Sequence, residues 1–179
     1  MSKIFVGKRY YDSGQLREEY WYKDDLVHRD DGPAWVEYYK DGNVLREQFY
    51  KNGDIYRSNG PAWVEYYPDG QVSLEIWFKD SKRHRDGGPA WVEYYPSGQL
   101  KLLMWYKHDR LHRENGPAKI KYYEDGNIAE EVWYRNDVIH REDGPALTSY
   151  LSSGEPIYVY IINGQQVRDE EFEEYMKRN

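Results

Sequence analysis

The triplet Gly-Pro-Ala occurs at Gly32-Pro33-Ala34, Gly60-Pro61-Ala62, Gly88-Pro89-Ala90, Gly116-Pro117-Ala118 and Gly144-Pro145-Ala146, each copy 28 residues after the last. A fixed period of this length means that one supersecondary unit is stacked on copies of itself. The surrounding motif reads most fully at His84-Arg85-Asp86-Gly87-Gly88-Pro89-Ala90-Trp91-Val92-Glu93-Tyr94-Tyr95. Full units begin at Gly32, Gly60, Gly88 and Gly116, and a degenerate one begins at Gly144. An incomplete first unit lacks the triplet but keeps Tyr10-Tyr11, Ser13-Gly14, Trp21-Tyr22 and His28-Arg29 in frame. Residues 1–168 thus hold six units, 4–31, 32–59, 60–87, 88–115, 116–143 and 144–168, and 169–179 form a tail. Six copies exceed the roughly three that an array needs before stacking buries enough surface.

Composition agrees with a thin, repetitive fold. Only 39% of the 179 residues are apolar and 32% are charged, yet 17% are aromatic, with 20 Tyr and 7 Trp. A disordered chain is poor in aromatic residues. Rings in so polar a chain belong in a thin layer, as in a quasi-one-dimensional repeat protein. Without cysteine there is no disulfide framework and no thiolate metal site. A net charge of −7 disfavours general nucleic-acid binding, which needs a basic surface to release counterions. The start of the chain, Met1 to Gly7, is too short and polar for a signal peptide, and no stretch reaches transmembrane length. The expectation is a soluble, cytoplasmic protein.

Within a unit, Ala-Trp-Val-Glu-Tyr-Tyr has the β-branched and aromatic content of a strand. A turn follows, such as Lys40-Asp41-Gly42, Pro68-Asp69-Gly70 or Pro96-Ser97-Gly98, and then a second strand such as Gln71 to Phe78. Asp-Gly between two such runs favours a hairpin. Another polar turn and the His-Arg segment lead back to Gly-Pro, which marks a strand start or corner because proline has no N–H to donate. Alternation places Ala, Val and Tyr on one face of the first strand and Trp, Glu and Tyr on the other. In the second strand it sets Val72, Ile76 and Phe78 against Glu75 and Trp77, which predicts one mostly apolar face and one mixed face. The expected fold is all-β: an elongated, twisted antiparallel sheet of tandem β-hairpins. In the tail, Phe172, Tyr175 and Met176 share a helical face with Asp169 as N-cap, so a short C-terminal capping helix is predicted.

Hairpin repeats with Tyr-x-[Asp/Ser]-Gly and Trp-Tyr-x-[Asp/Asn]-Gly turns resemble the MORN class, particularly the variants in bacterial proteins labelled as antitoxin components. The longer His-Arg-x-[Asp/Glu/Asn]-x-Gly-Pro-Ala form resembles repeat proteins of bacteriophages and giant DNA viruses. The resemblance covers Ile4 to Arg168. It implies an extended sheet and a binding or scaffolding role, in some members with lipid, and it carries no catalytic residues. A viral origin would imply an inhibitor of a host defence protein. The 28-residue period is longer than the usual MORN length, so the His-Arg loop is an elaboration.

The pairs His28-Arg29, His84-Arg85, His112-Arg113 and His140-Arg141 invite a metal reading. Equivalent atoms two strands apart are separated by about 9–10 Å, too far for successive histidines to share an ion. No metal and no cofactor is expected. Arginine persists where histidine is replaced by Tyr56 or Val167, which suggests a structural ladder of Arg29, Arg57, Arg85, Arg113, Arg141 and Arg168. These would pair with the glutamate rows (Glu37, Glu65, Glu93 and Glu47, Glu75, Glu131) and stack on neighbouring rings. One ring row runs Trp21, Phe49, Trp77, Trp105, Trp133. A second, Trp35, Trp63 and Trp91, changes to Lys119 and Leu147 and is the better candidate for partner contact. Lys121 replaces a glutamate beside Lys119, and Lys82-Arg83 is a basic spot found in no other unit.

No nucleophile elbow, phosphate-binding loop or dinucleotide fingerprint is present. Each repeated carboxylate has near-copies, whereas an active site is singular, so no catalytic residue is expected. The reading is a non-enzymatic repeat protein that binds a macromolecular partner, most simply another protein. The alternatives are an antitoxin or immunity protein, a MORN-type scaffold, and a small-molecule sponge for nucleotides built on the Arg and ring rows.

Overall fold

A computed structural model describes residues 3–178. Met1 and Ser2, the first residues of the segment weighed as a signal peptide, and Asn179, the last residue of the tail, lie outside them.

Among the described residues, one antiparallel sheet runs through the whole array, its strands following each other in chain order. It starts with the hairpin Ile4–Tyr10 and Leu16–Lys23. Each later unit adds a first strand, Trp35–Tyr38, Trp63–Tyr66, Trp91–Tyr94, Lys119–Tyr122 and finally Leu147–Tyr150. Each also adds a second, Val44–Gln48, Val72–Ile76, Leu100–Met104, Ile128–Val132 and finally Pro156–Ile162. The sheet stays open, with Ile4–Tyr10 on one edge paired only to Leu16–Lys23. After the second strand, each complete unit from the second to the fifth makes a small ribbon, as in Tyr50–Lys51 with Asp54–Ile55 and Phe78–Lys79 with Lys82–Arg83. The ribbons are tied to each other by backbone bonds such as Gly53 N–H to Val27 O at 2.9 Å and Asp109 N–H to Arg83 O at 3.0 Å.

The two turns of a unit are chemically different. The hairpin turn closes with Gly42 N–H on Tyr39 O at 3.0 Å, and Gly42 has φ +92°, the left-handed residue of a type I turn with a G1 bulge. The ribbon turn places two successive residues at positive φ: Asn52 and Gly53, Asp80 and Ser81, His108 and Asp109, Asn136 and Asp137. This is the type I′ pattern, whose twist suits a two-residue connection.

The triplet is explained by its surroundings. The alanines are the most buried positions, with Ala34, Ala90, Ala118 and Ala146 all at 0% exposure. Ala34 N–H donates to Gln48 O at 2.8 Å in its own unit, and Ala34 O accepts Trp21 N–H at 2.9 Å from the unit before. The residue is clamped between two hairpins where a larger side chain has no room. The preceding glycine makes space for arginine: a Cβ on Gly116, at φ +145°, would lie 2.9 Å from the guanidinium carbon of Arg113.

Strand register corrects the expected division of faces. Val64 stands opposite Glu75, and Trp63 stands opposite Ile76. The valines therefore share a face with the second-strand glutamates, while the tryptophans share one with Ile76. Both faces are mixed, and burial is spread over small side chains, Val36, Val64, Val92 and Ile76 among them. In the first five hairpins the pairing shifts just before the last tyrosine of the first strand, which leaves one residue of the second strand unpaired, such as Leu45 or Ser73. The sixth hairpin pairs without a shift, from Leu147 with Val159 to Tyr150 with Pro156. The single residue missing from that unit is the bulge.

The tail forms the helix Asp169–Arg178. Its N-cap is Arg168 rather than Asp169: Arg168 O accepts Phe172 N–H at 2.9 Å, and Glu171 Oε2 accepts Arg168 N–H at 3.0 Å. That is the reciprocal half of a capping box. Phe172 is the buried residue of the helix and packs on Tyr160, ring centroids 4.5 Å apart.

Candidate functional site

In five units the arginine after the histidine position lies over the ring eight residues earlier. Arg29 covers Trp21 at 4.1 Å, Arg57 covers Phe49 at 4.0 Å and Arg85 covers Trp77 at 3.8 Å; Arg113 on Trp105 and Arg141 on Trp133 are both at 4.0 Å. Four of them also donate to the carbonyl of the proline four residues on, as Arg141 does to Pro145 O at 3.2 Å. The stack orients each guanidinium and the carbonyl bond anchors one end of its fork. Arg168 departs from the row. The ring eight residues before it is Tyr160, which Phe172 occupies, and the Arg168 guanidinium instead meets Glu171 at 2.8 Å.

The sequence predicts that this ladder pairs with the glutamate rows; among the described residues it does not, and the ladder's ion pairs are Arg29 with Asp31, Arg141 with Asp143 and Arg168 with Glu171. The glutamates meet tyrosine and tryptophan instead: Tyr66 Oη donates to Glu47 at 2.7 Å, and Trp63 Nε1 donates to Glu65 at 3.0 Å. Burial, followed by the Glu75 charge and its hydrogen bond, pushes the Tyr94 phenol up to about 12.

Three of the four histidines in the row, His28, His84 and His140, touch the turn of the next unit. His28 Nδ1 accepts the N–H of Asn52 in the next ribbon turn at 3.0 Å, with Nε2 2.9 Å from Asp30 Oδ1. His140 repeats this with Asn163 at 3.1 Å and Glu142 at 3.1 Å. Where the next turn begins with His108, His84 stacks on that ring at 4.5 Å. Among the described residues, no group of three or more His, Asp or Glu is placed to hold a metal ion.

Trp35, Trp63 and Trp91 lie on one face at every second strand, half-buried, with Gln48 and Ile76 between them and Met104 next to Trp91. Lys119 continues the same row beyond Met104, and Lys121 stands one row over, opposite Leu102. Arg46 lies over Trp63 at 4.9 Å and pairs with Glu65 at 3.0 Å, while Lys119 pairs with Glu130 at 2.7 Å. The structure thus brings the tryptophans and Lys119–Lys121 onto one surface. Lys82 and Arg83 lie elsewhere, in a ribbon, where Arg83 covers Tyr106 at 4.1 Å and pairs with Asp109 at 2.8 Å in the following unit.

Three segments match the family model described as MORN repeat variant: residues 6–24, 34–52 and 90–108. The chain is a MORN-like repeat protein. No curated protein matches it. The matches at 34–52 and 90–108 run from the buried alanine through the hairpin to the first residue of the ribbon turn. Residues 25–33, with His28 and Arg29, fall between the first two matches, so the stack joins a ring inside a matched segment, such as Trp21, to an arginine outside it, such as Arg29.

One set of contacts joining the MORN-like units was missed in the sequence. The second tyrosine of each Tyr-Tyr pair donates to the backbone carbonyl of the first tyrosine of the next unit: Tyr39 to Tyr66 O at 2.8 Å, Tyr67 to Tyr94 O at 2.7 Å, Tyr95 to Tyr122 O at 2.8 Å. Its signal was the doubled tyrosine itself, recurring at 28 residues where simple alternation explains only one ring per face.

Proposed function

We propose that this MORN-like protein is a non-enzymatic binding module that docks a protein partner on the sheet face bearing Trp35, Trp63 and Trp91. The observation that supports the reading is the composition of that face: half-buried indoles at two-strand intervals, Leu74, Leu102 and Met104 between and beside them, and carboxylates and lysines around them. Tryptophan and arginine dominate the centres of protein interfaces, and a charged rim sets orientation and on-rate. The array breaks its own pattern at Lys119 and Lys121, which gives the face two distinguishable ends.

No helix among the described residues is long and apolar enough to cross a membrane. We place the protein in the cytoplasm; inhibition of a host defence protein is the specific form of this reading if the chain is viral, and it rests on the resemblance of the repeats. The test is affinity purification from the native host, comparing wild type with Trp63→Ala/Trp91→Ala. Loss of one stoichiometric partner with the thermal midpoint retained supports the docking face. Equal recovery of every partner by the folded variant overturns it.

A further inference from the structure

The five stacked arginines are not alike in charge. Arg29 Nε donates to Asp31 at 2.8 Å, and Arg141 Nε donates to Asp143 at 2.7 Å, each carboxylate two residues on. The same position after Arg57, Arg85 and Arg113 is held by Asn59, Gly87 and Asn115, and among the described residues these three arginines form no ion pair. Burial without a counter-charge lowers the Arg113 pKa. The outer units therefore show what fits the guanidinium edge, an oxyanion, and the central units leave that edge free.

Two of the free guanidiniums, Arg57 and Arg85, line a groove of about 760 Å³ between the ribbons of the second and third units. Its volume is in the range of small-molecule sites, about 300–1,000 Å³. Lys51 and Lys79 add to the wall, so four cations face Asp54, Asp80 and Asp86 in a chain of net charge −7. Asp86 is held by Lys79 at 2.8 Å and His84 at 2.9 Å, and Asp54 accepts Ser81 Oγ at 2.8 Å. The lining also includes Tyr56, a residue 45% exposed, where four units carry histidine. The neighbouring grooves are smaller, at about 420 and 360 Å³; one has His84 and His112 and no Tyr56, and the other shares Tyr56 and Arg57 but its second stacked arginine is Arg29, already paired with Asp31.

We propose that the groove between Arg57 and Arg85 binds a small ligand with a flat ring and at least two oxyanion groups, of the nucleoside diphosphate class. The two arginines occupy equivalent places two strands apart, about 9–10 Å, so a single oxyanion cannot reach both and a pair can. Arginine's planar fork suits phosphate oxygens, and the ring lies against Tyr56. This site is separate from the tryptophan face and goes beyond the protein-docking role.

The experiment is calorimetric titration of the full chain with ADP, pyrophosphate and adenosine. Wild type should bind ADP more tightly than pyrophosphate, and adenosine least. Asn59→Asp gives Arg57 the internal carboxylate that Asp31 gives Arg29; it should raise the Kd for ADP about tenfold or more while the thermal midpoint holds or rises. Arg85→Gln should weaken ADP to a similar degree, and Tyr56→His should weaken ADP but not pyrophosphate. No heat with ADP, equal ADP affinity in wild type and Asn59→Asp, or pyrophosphate binding as tightly as ADP would each overturn the proposal. Trp63→Ala/Trp91→Ala should bind ADP as wild type does, which separates this site from the docking face.

Discussion

Phe172 rests on Tyr160 with ring centroids 4.5 Å apart, against the one ring of its row that has no arginine on it. In five units the ring is covered by the arginine eight residues later. In the sixth, that arginine becomes the N-cap of the helix, and the helix supplies a phenyl ring instead. A terminal repeat has no following unit to shield its apolar layer, and this substitution closes the end.

Phe172→Ala should therefore cost about 3 kcal/mol, the usual loss for a buried phenylalanine, and free the helix Asp169–Arg178. Urea unfolding should show the drop, and amide exchange should speed up in the helix ahead of the first units. Uniform exchange change along the chain would contradict a local cap.

The tyrosine pegs between units give a second expectation. Tyr67→Phe and Tyr95→Phe each keep the ring and remove one hydroxyl-to-carbonyl bond, at a cost of about 1 kcal/mol each. The sites lie about 9–10 Å apart and their hydroxyls have different acceptors, Tyr94 O and Tyr122 O, so the double variant should lose close to the sum in chemical denaturation.

The arginine ladder should be uneven in the same way as its charges. Arg141→Ala removes a stack, a carbonyl bond and the Asp143 pair from a half-buried site, and about 2 kcal/mol of stability should go with it. Arg57 is exposed and has no carboxylate, so Arg57→Ala should cost about 1 kcal/mol or less. Equal losses from the two substitutions would mean that the stack and the proline-carbonyl bond, which both arginines make, carry the ladder without the carboxylate.

Alkaline pH should loosen the sheet through its buried phenols. Tyr94 is raised from 10.0 to about 12 by burial and by Glu75, and Tyr66 is raised by burial and by Glu47. The folded state favours the neutral phenol, so this contribution is complete below pH 10 and is lost as pH climbs toward the folded value. The thermal midpoint should fall between pH 10 and about 12, less steeply in Tyr94→Phe. Tyrosinate absorbance followed in parallel should show ionisation and unfolding coinciding.

By itself the sequence determined the unit, its two strands and the places of its turns, because these depend on local chemistry: β-branched and ring residues in short runs, glycine, asparagine or aspartate at left-handed positions, and a strict period. It also held the missing residue of the sixth unit and, among the five stacked arginines, the aspartates two residues after Arg29 and Arg141 alone, although nothing in the chain says what those differences do. The tertiary structure decided the rest. One unpaired residue in each of the first five hairpins, such as Leu45, shifts the register, and that shift places Trp63 beside Ile76 and Val64 beside Glu75. Which side chains share a face depends on pairing between strands, and pairing is a property of two segments rather than one. The same reason explains why the arginines lie on rings eight residues back and not on the glutamates: guanidinium and indole meet only after the chain has turned through the ribbon and been clamped at the buried alanine.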